Sequence, residues 1–98
     1  MEKVTKKPVM VQKEEIANFL FPIKEVLTSA EEIKTRRVEL EKATTLGNVE
    51  RGKIKIIFED TEGLKKVETT IWATTEKNII LKGGVFIPIH RIHQISVY

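Results

Sequence analysis

The chain has two histidines, one tryptophan, one aspartate and no cysteine, and these few residues bound the chemistry open to it. His90 and His93 stand three apart with Arg91 between them. Zinc takes three or four protein ligands. No carboxylate lies close in sequence to complete such a set, and the Arg91 charge repels a cation, so the pair reads as exposed turn residues and no metal is expected. Without thiols there are no disulfides, no thiolate ligands and no cysteine nucleophile. Glu59, Asp60 and Glu62 put three carboxylates into four positions, which read as solvated turn charges rather than as a general acid–base pair. Ser29 and Ser96 lack the strand–turn–helix context of a nucleophile elbow. Gly47-Asn-Val-Glu-Arg-Gly52-Lys53-Ile54 nearly spells a phosphate loop. Its last position has no hydroxyl for a magnesium ion, and a helix precedes it where the motif needs a strand. No catalytic residue and no cofactor is therefore expected.

Binding chemistry is easier to assemble. Trp72 with Lys53, Lys55 and Arg91 offers an aromatic face for a base and cations for phosphates. Against that, Ile57, Ile80 and Phe86 fall on the same side of their strands as Trp72. An apolar row of this kind predicts a tryptophan covered by a helix. The formal charge of +3 does not settle the matter. Residues 1–37 carry eight basic and six acidic side chains, and residues 38–98 carry nine and eight. No block of like charge reaches five residues, so the strong basic stripe of a dedicated phosphate-backbone binder is missing.

The elements that must position these residues follow from periodicity. Residues 1–11 read as a loose lysine-bearing arm ahead of a single domain over 12–98, helical over 12–46 and β-structured over 53–98. Ile16, Phe19, Leu20, Ile23, Val26, Leu27, Ala30 and Ile33 recur at steps of three and four, the stripe of an amphipathic helix. Pro22 predicts a break near 18–21. Ser29 and Glu32 have capping-box spacing and predict a fresh helix. Helix is favoured over a competing strand for 30–46, with Gly47-Asn48 as its stop. From Lys53 the period becomes two. Ile54, Ile56 and Phe58 predict a first strand, followed by a turn at 60–63. Val67 to Ala73 predicts a second strand and Asn78 to Lys82 a third, closed by Gly83-Gly84 as a tight hairpin. Val85 to Ile89 predicts a fourth, held to an edge or a bulge by Pro88. A short turn at 90–92 leads to a fifth strand over 94–98. Strands apolar on both sides need cover on both.

This order of elements in Lys53 to Tyr98 resembles the Sm-like small-barrel family. Lys53-Ile-Lys-Ile-Ile-Phe-Glu-Asp with Gly63 looks like its first strand and turn. Asn78-Ile-Ile-Leu looks like its middle strand, and Ile87-Pro-Ile-His-Arg-Ile-His-Gln-Ile like its closing pair. The family's RNA-contacting Asn and Arg-Gly motifs are not recognisable here. The segment Glu68 to Ile92 also resembles uncharacterised small bacterial proteins. The likeness implies an α+β fold: N-terminal helices on a strongly bent five-stranded antiparallel sheet. The element order, with lysines flanking the strands, suggests a non-enzymatic binding module for RNA or single-stranded DNA, and the residues themselves offer Lys53, Lys55, His90, Arg91 and His93 as its contacts. The alternative is a protein-interaction or self-assembling adaptor, working through the strand that holds Pro88. With no secretory h-region at the N-terminus and no apolar run long enough to span a bilayer, no membrane partner is expected and the cytoplasm is the default location.

Overall fold

The computed structural model describes residues 7–50 and 52–97; residues 1–6 of the expected arm, Arg51 and Tyr98 lie outside them. Beyond residue 8 the arm is not loose. Val9–Met10 form a two-residue strand, β1, that pairs in parallel with Lys65 and Lys66, and Val11 is buried behind it. The Val11 N–H donates to the Lys66 carbonyl at 2.9 Å, which extends the pairing by one step.

The helical pattern expected from Gln12 is a six-residue 3-10 helix, Lys13–Asn18, which ends where the break near 18–21 is expected; the helix expected beyond that break is replaced by irregular chain to Ser29. Pro22 accounts for the stop, as it withholds a hydrogen-bond donor. Beyond the stop the apolar residues serve two sides of an extended chain. Phe19 and Phe21 pack on Phe58 with ring centroids 6.3 and 6.1 Å away, while Leu20 and Ile23 face solvent. Main-chain bonds from Thr61 N–H to Leu20 and from Val26 N–H to His90, both 3.0 Å, fasten the segment to the strands.

The helix favoured for 30–46 is present as α1, Ala30–Glu50. Ser29 caps it, its Oγ accepting from the N–H groups of Glu31 and Glu32 at 3.1 and 3.2 Å. Only one narrow stripe faces inward: Arg36, Leu40, Ala43 and Gly47, one residue per turn. The expected stop at Gly47 is overturned. There the glycine permits contact instead, because a Cβ would lie 2.6 Å from the Ile71 carbonyl oxygen and 2.9 Å from Thr70 Cγ2. Arg36 sits in the stripe without an unpaired charge. Its guanidinium forks onto Glu25 at 2.7 and 2.6 Å and donates to the Ile92 carbonyl at 2.9 Å. Arg36 thereby ties the irregular segment, α1 and the last strand together.

The β-half is an antiparallel arrangement, as its period predicts, but not one five-stranded sheet. β2 (Ile54–Asp60) and β3 (Gly63–Thr69) form a hairpin, with β1 beyond β3 and β7 (Ile92–Val97) beyond β2, giving the order β1-β3-β2-β7. β4 (Ile71–Thr74), β5 (Asn78–Leu81) and β6 (Phe86–Pro88) make a separate three-stranded sheet. Among the described residues the two sheets do not close into a barrel. The single second strand expected over Val67–Ala73 is divided at Thr70. Thr69, Thr70 and Ile71 are buried in succession, which strict alternation forbids, and the chain turns from one sheet into the other there. The Thr70 carbonyl accepts from Lys82 N–H at 2.9 Å, and its hydroxyl donates to the Gly52 carbonyl at 3.2 Å, so the corner is held on both sides.

The hairpin expected at Gly83-Gly84 forms. Both glycines take positive φ, 92° and 85°, and Gly84 N–H donates to the Leu81 carbonyl at 2.8 Å. Pro88 lies on β6, an edge strand, where its missing donor interrupts no ladder. Ile54, Ile56, Phe58, Val67, Ile71, Ile79, Leu81, Ile87 and Ile92 join Leu40, Ala43, Val11 and Ile16 in one core. Each fully buried aliphatic side chain contributes about 1.5–3 kcal/mol.

The expectation that Trp72 is covered by a helix is overturned: it is 48% exposed. Ile71 pairs with Leu81 and Ala73 with Ile80, so Trp72 is the extra residue of a bulge, and bulges re-aim a side chain. Phe86, counted on the same covered face, is also exposed.

Candidate functional site

The corner at Thr70 opens onto a cleft of about 670 Å³ whose walls come from the first 3-10 helix, α1, β3, β4 and the segments before β2 and after β5. Trp72 stands on β4, pushed outward by the bulge. Lys82 lies in the β5–β6 turn, where the two positive-φ glycines bring the hairpin round beside it. Lys53 precedes β2, Asn48 lies in the last turn of α1, and Gln12 and Lys13 begin the 3-10 helix. That helix is set by Gln12 N–H donating to Glu15 Oε2 at 2.8 Å. Lys13 runs beside the hairpin, where a Cβ on Gly83 would lie 3.3 Å from Lys13 Cε. The floor is Gly47 and the Thr69–Thr70 corner.

Three lysines and one aromatic residue therefore line one concavity. Lys13 is held by Glu14 at 2.8 Å, whereas Lys53 and Lys82 make no ion pair among the described residues. The acid in the lining, Glu68, lies 4.0 Å from Lys55. Such a cleft can stack a planar ring on Trp72 and neutralise anionic groups attached to it.

The structure brings Lys53 to this cleft and leaves the other expected contacts elsewhere. Lys55 lies outside the lining, next to Glu68. His90, Arg91 and His93 are not exposed turn residues. Arg91 is 6% exposed and donates from Nε to the Glu59 carbonyl at 3.0 Å and from Nη1 to the Lys24 carbonyl at 2.7 Å. His90 Nε2 lies 2.9 Å from the Pro22 carbonyl and so carries the proton, and His93 Nε2 lies 2.8 Å from Glu59 Oε1. His90 and Arg91 fasten the irregular segment to the strands, and His93 ties β7 to β2. Nucleic acid contact at Arg91 would require breaking that fastening.

Asp60, expected as a solvated turn charge, is buried. Its Oδ1 accepts from Glu62 N–H at 2.9 Å, Gly63 N–H at 3.1 Å and Lys65 Nζ at 2.9 Å. Burial pushes its carboxyl up, but Lys65 and the two amides together hold it below the usual carboxylate range. Among the described residues no three His, Asp or Glu side chains gather to hold a metal. The near-match to a phosphate loop runs from helix into strand, with Gly47 pressed on Ile71.

Sequence reasoning missed Lys13, Lys82, Gln12 and Asn48. Lys82 carries a signal in its position before Gly83-Gly84, since a turn residue there must project at the end of a sheet. Lys13 and Asn48 carry none, because they lie 35 residues apart and only the tertiary fold puts both in the lining of one cleft. Among the described residues no helix is long and apolar enough to cross a membrane. In comparisons with known proteins, the chain matches no family model, no curated protein and no solved structure.

Proposed function

We propose that the chain is a small non-enzymatic binding module for single-stranded nucleic acid, with Trp72 as the stacking platform and Lys53, Lys82 and Lys13 as the phosphate contacts. The observation that carries this reading is the half-exposed Trp72 projecting from a bulge into a lysine-lined cleft. An isolated exposed tryptophan on a strand is ordinary, and so are scattered lysines. A tryptophan displaced from its ladder in a cleft lined by three lysines is a binding arrangement. The 3-10 turn Ile89–Arg91 before the last strand is the feature in common with the Sm-like likeness, while β2 to β7 are six strands in two sheets and not five in one bent sheet.

Fluorescence anisotropy with labelled single-stranded RNA and DNA pools at about 50 mM salt is the direct test. Trp72→Ala removes a stacking interaction worth about 1–3 kcal/mol, so affinity falls roughly 5- to 150-fold. Absence of affinity for every pool ends the reading.

A second reading, self-assembly or protein interaction through an edge strand, is favoured by β6. It is the outer strand of its sheet and carries the exposed Phe86. Light scattering across a concentration series tests it: a mass that stays at one chain at every concentration removes the self-assembly arm, and a pull-down without partners removes the rest.

A further inference from the structure

We infer that the cleft accommodates two or three nucleotides of single strand and no longer track; this rests on the nucleic-acid reading of the same site. Its size sets the first limit. A volume of about 670 Å³ lies within the range of about 300–1,000 Å³ that holds one compact ligand. Grooves that follow a polymer present a succession of aromatic faces and a continuous run of cations. Here Trp72 is the one aromatic residue in the lining.

Charge sets the second limit. The lining offers Lys13, Lys53 and Lys82, and Lys13 is already shared with Glu14. Between two and three phosphates can therefore be neutralised. The lining holds three of the chain's 17 basic residues and one, Glu68, of its 14 acidic ones. Lys55, the next lysine along β2, lies outside the lining and 4.0 Å from Glu68, so the basic track of the cleft does not run on through it. Glu68, on its wall, interrupts it further.

The consequence is quantitative. Single strands lose affinity with salt at a log–log slope of about −0.7 per neutralised phosphate, so two to three contacts give about −1.5 to −2. The test uses the full chain and homopolymeric oligonucleotides from one to ten nucleotides, titrated by anisotropy competition at several salt concentrations. Affinity is expected to rise up to the trinucleotide. Beyond it, affinity gains only the few-fold statistical factor from additional registers. Lys53→Ala and Lys82→Ala each flatten the slope by about 0.7. Lys34→Ala is the control. It lies thirteen residues from Gly47 along α1, roughly 20 Å away at 1.5 Å per residue, and leaves the slope unchanged.

An affinity that climbs more than about tenfold between four and ten nucleotides, or a slope near −5, overturns the short site while leaving the nucleic-acid reading in place. Binding that ignores Trp72→Ala, or no binding at any length, overturns both.

Discussion

At Arg91 the guanidinium donates to carbonyls 32 and 67 residues away in sequence, on Glu59 and Lys24. Removing a partner from a buried acceptor costs about 1–3 kcal/mol. Arg91→Ala therefore lowers the melting temperature and leaves single-strand affinity unchanged. Lys53→Ala does the reverse, and a thermal melt paired with an anisotropy titration separates the two. Acid stability is also decided residue by residue. Glu25 is held below the ordinary carboxylate range chiefly by the Arg36 fork, and Asp60 by Lys65 and two amides against the opposing effect of burial. Because both folded values are depressed, their contribution is complete above the unfolded values of about 4 and is lost as pH falls through the folded ones. Denaturant midpoints should hold steady above about pH 5 and drop below pH 4, and Asp60→Asn should remove part of that drop. Sequence reasoning expected the wrong surroundings for both Trp72 and Arg91. Strict alternation counted through Trp72 cannot register a bulge, and the carbonyls that enclose Arg91 are remote from it in sequence.

Between elements, the contact that shapes the cleft is α1 against the Thr70 corner. Gly47 lies where a helix-stop residue is expected, yet α1 continues through it to Glu50. Alanine is a better helix former than glycine by about 1 kcal/mol. That gain is outweighed here, because the added Cβ would lie 2.6 Å from the main-chain oxygen of Ile71, which cannot rotate away. Overpacking of this kind costs about 1–3 kcal/mol. Gly47→Ala is thus expected to destabilise the chain and to displace Asn48 from the cleft, giving both a lower denaturant midpoint and weaker binding. A midpoint that rises on Gly47→Ala would show that the helix end yields freely. The elements that were legible were those with a strong local signal: the Ser29 cap, the period-two run Ile54-Ile56-Phe58, and the Gly83-Gly84 turn. The amphipathic pattern over residues 16–29 misled because Phe19 and Phe21 serve one side of an extended chain, and a count of apolar steps does not distinguish that from a helix. The division at Thr70 was hidden for a related reason. β-Branched residues run through the corner without a glycine or proline to mark it.

Over the whole molecule, two sheets and one helix share one core, so none of them has a hydrophobic interior of its own. β4, β5 and β6 bury Ile71, Ile79, Leu81 and Ile87 against residues of the other sheet and of α1. A three-stranded sheet of four, four and three residues is marginal without that cover. α1 is equally dependent, since its inward stripe is a single residue wide per turn and the rest of its surface is polar or exposed. The consequence is one cooperative transition. Leu40 is the residue to test it on, being fully buried on α1 and included in the common core. Leu40→Ala should cost about 2–5 kcal/mol, against a total stability of about 5–15 kcal/mol for a domain of this size. The cost should appear equally in helical circular dichroism and in amide exchange of β2 and β5. If α1 melted separately, Leu40→Ala would lower the helical signal early and leave strand protection untouched. The sharing of one core argues against that outcome, because loss of α1 would uncover Ile71 and the Thr70 corner together. It would also dissolve the cleft, whose walls are drawn from both sheets, α1 and the first 3-10 helix, so binding and folding should fail over the same range of denaturant.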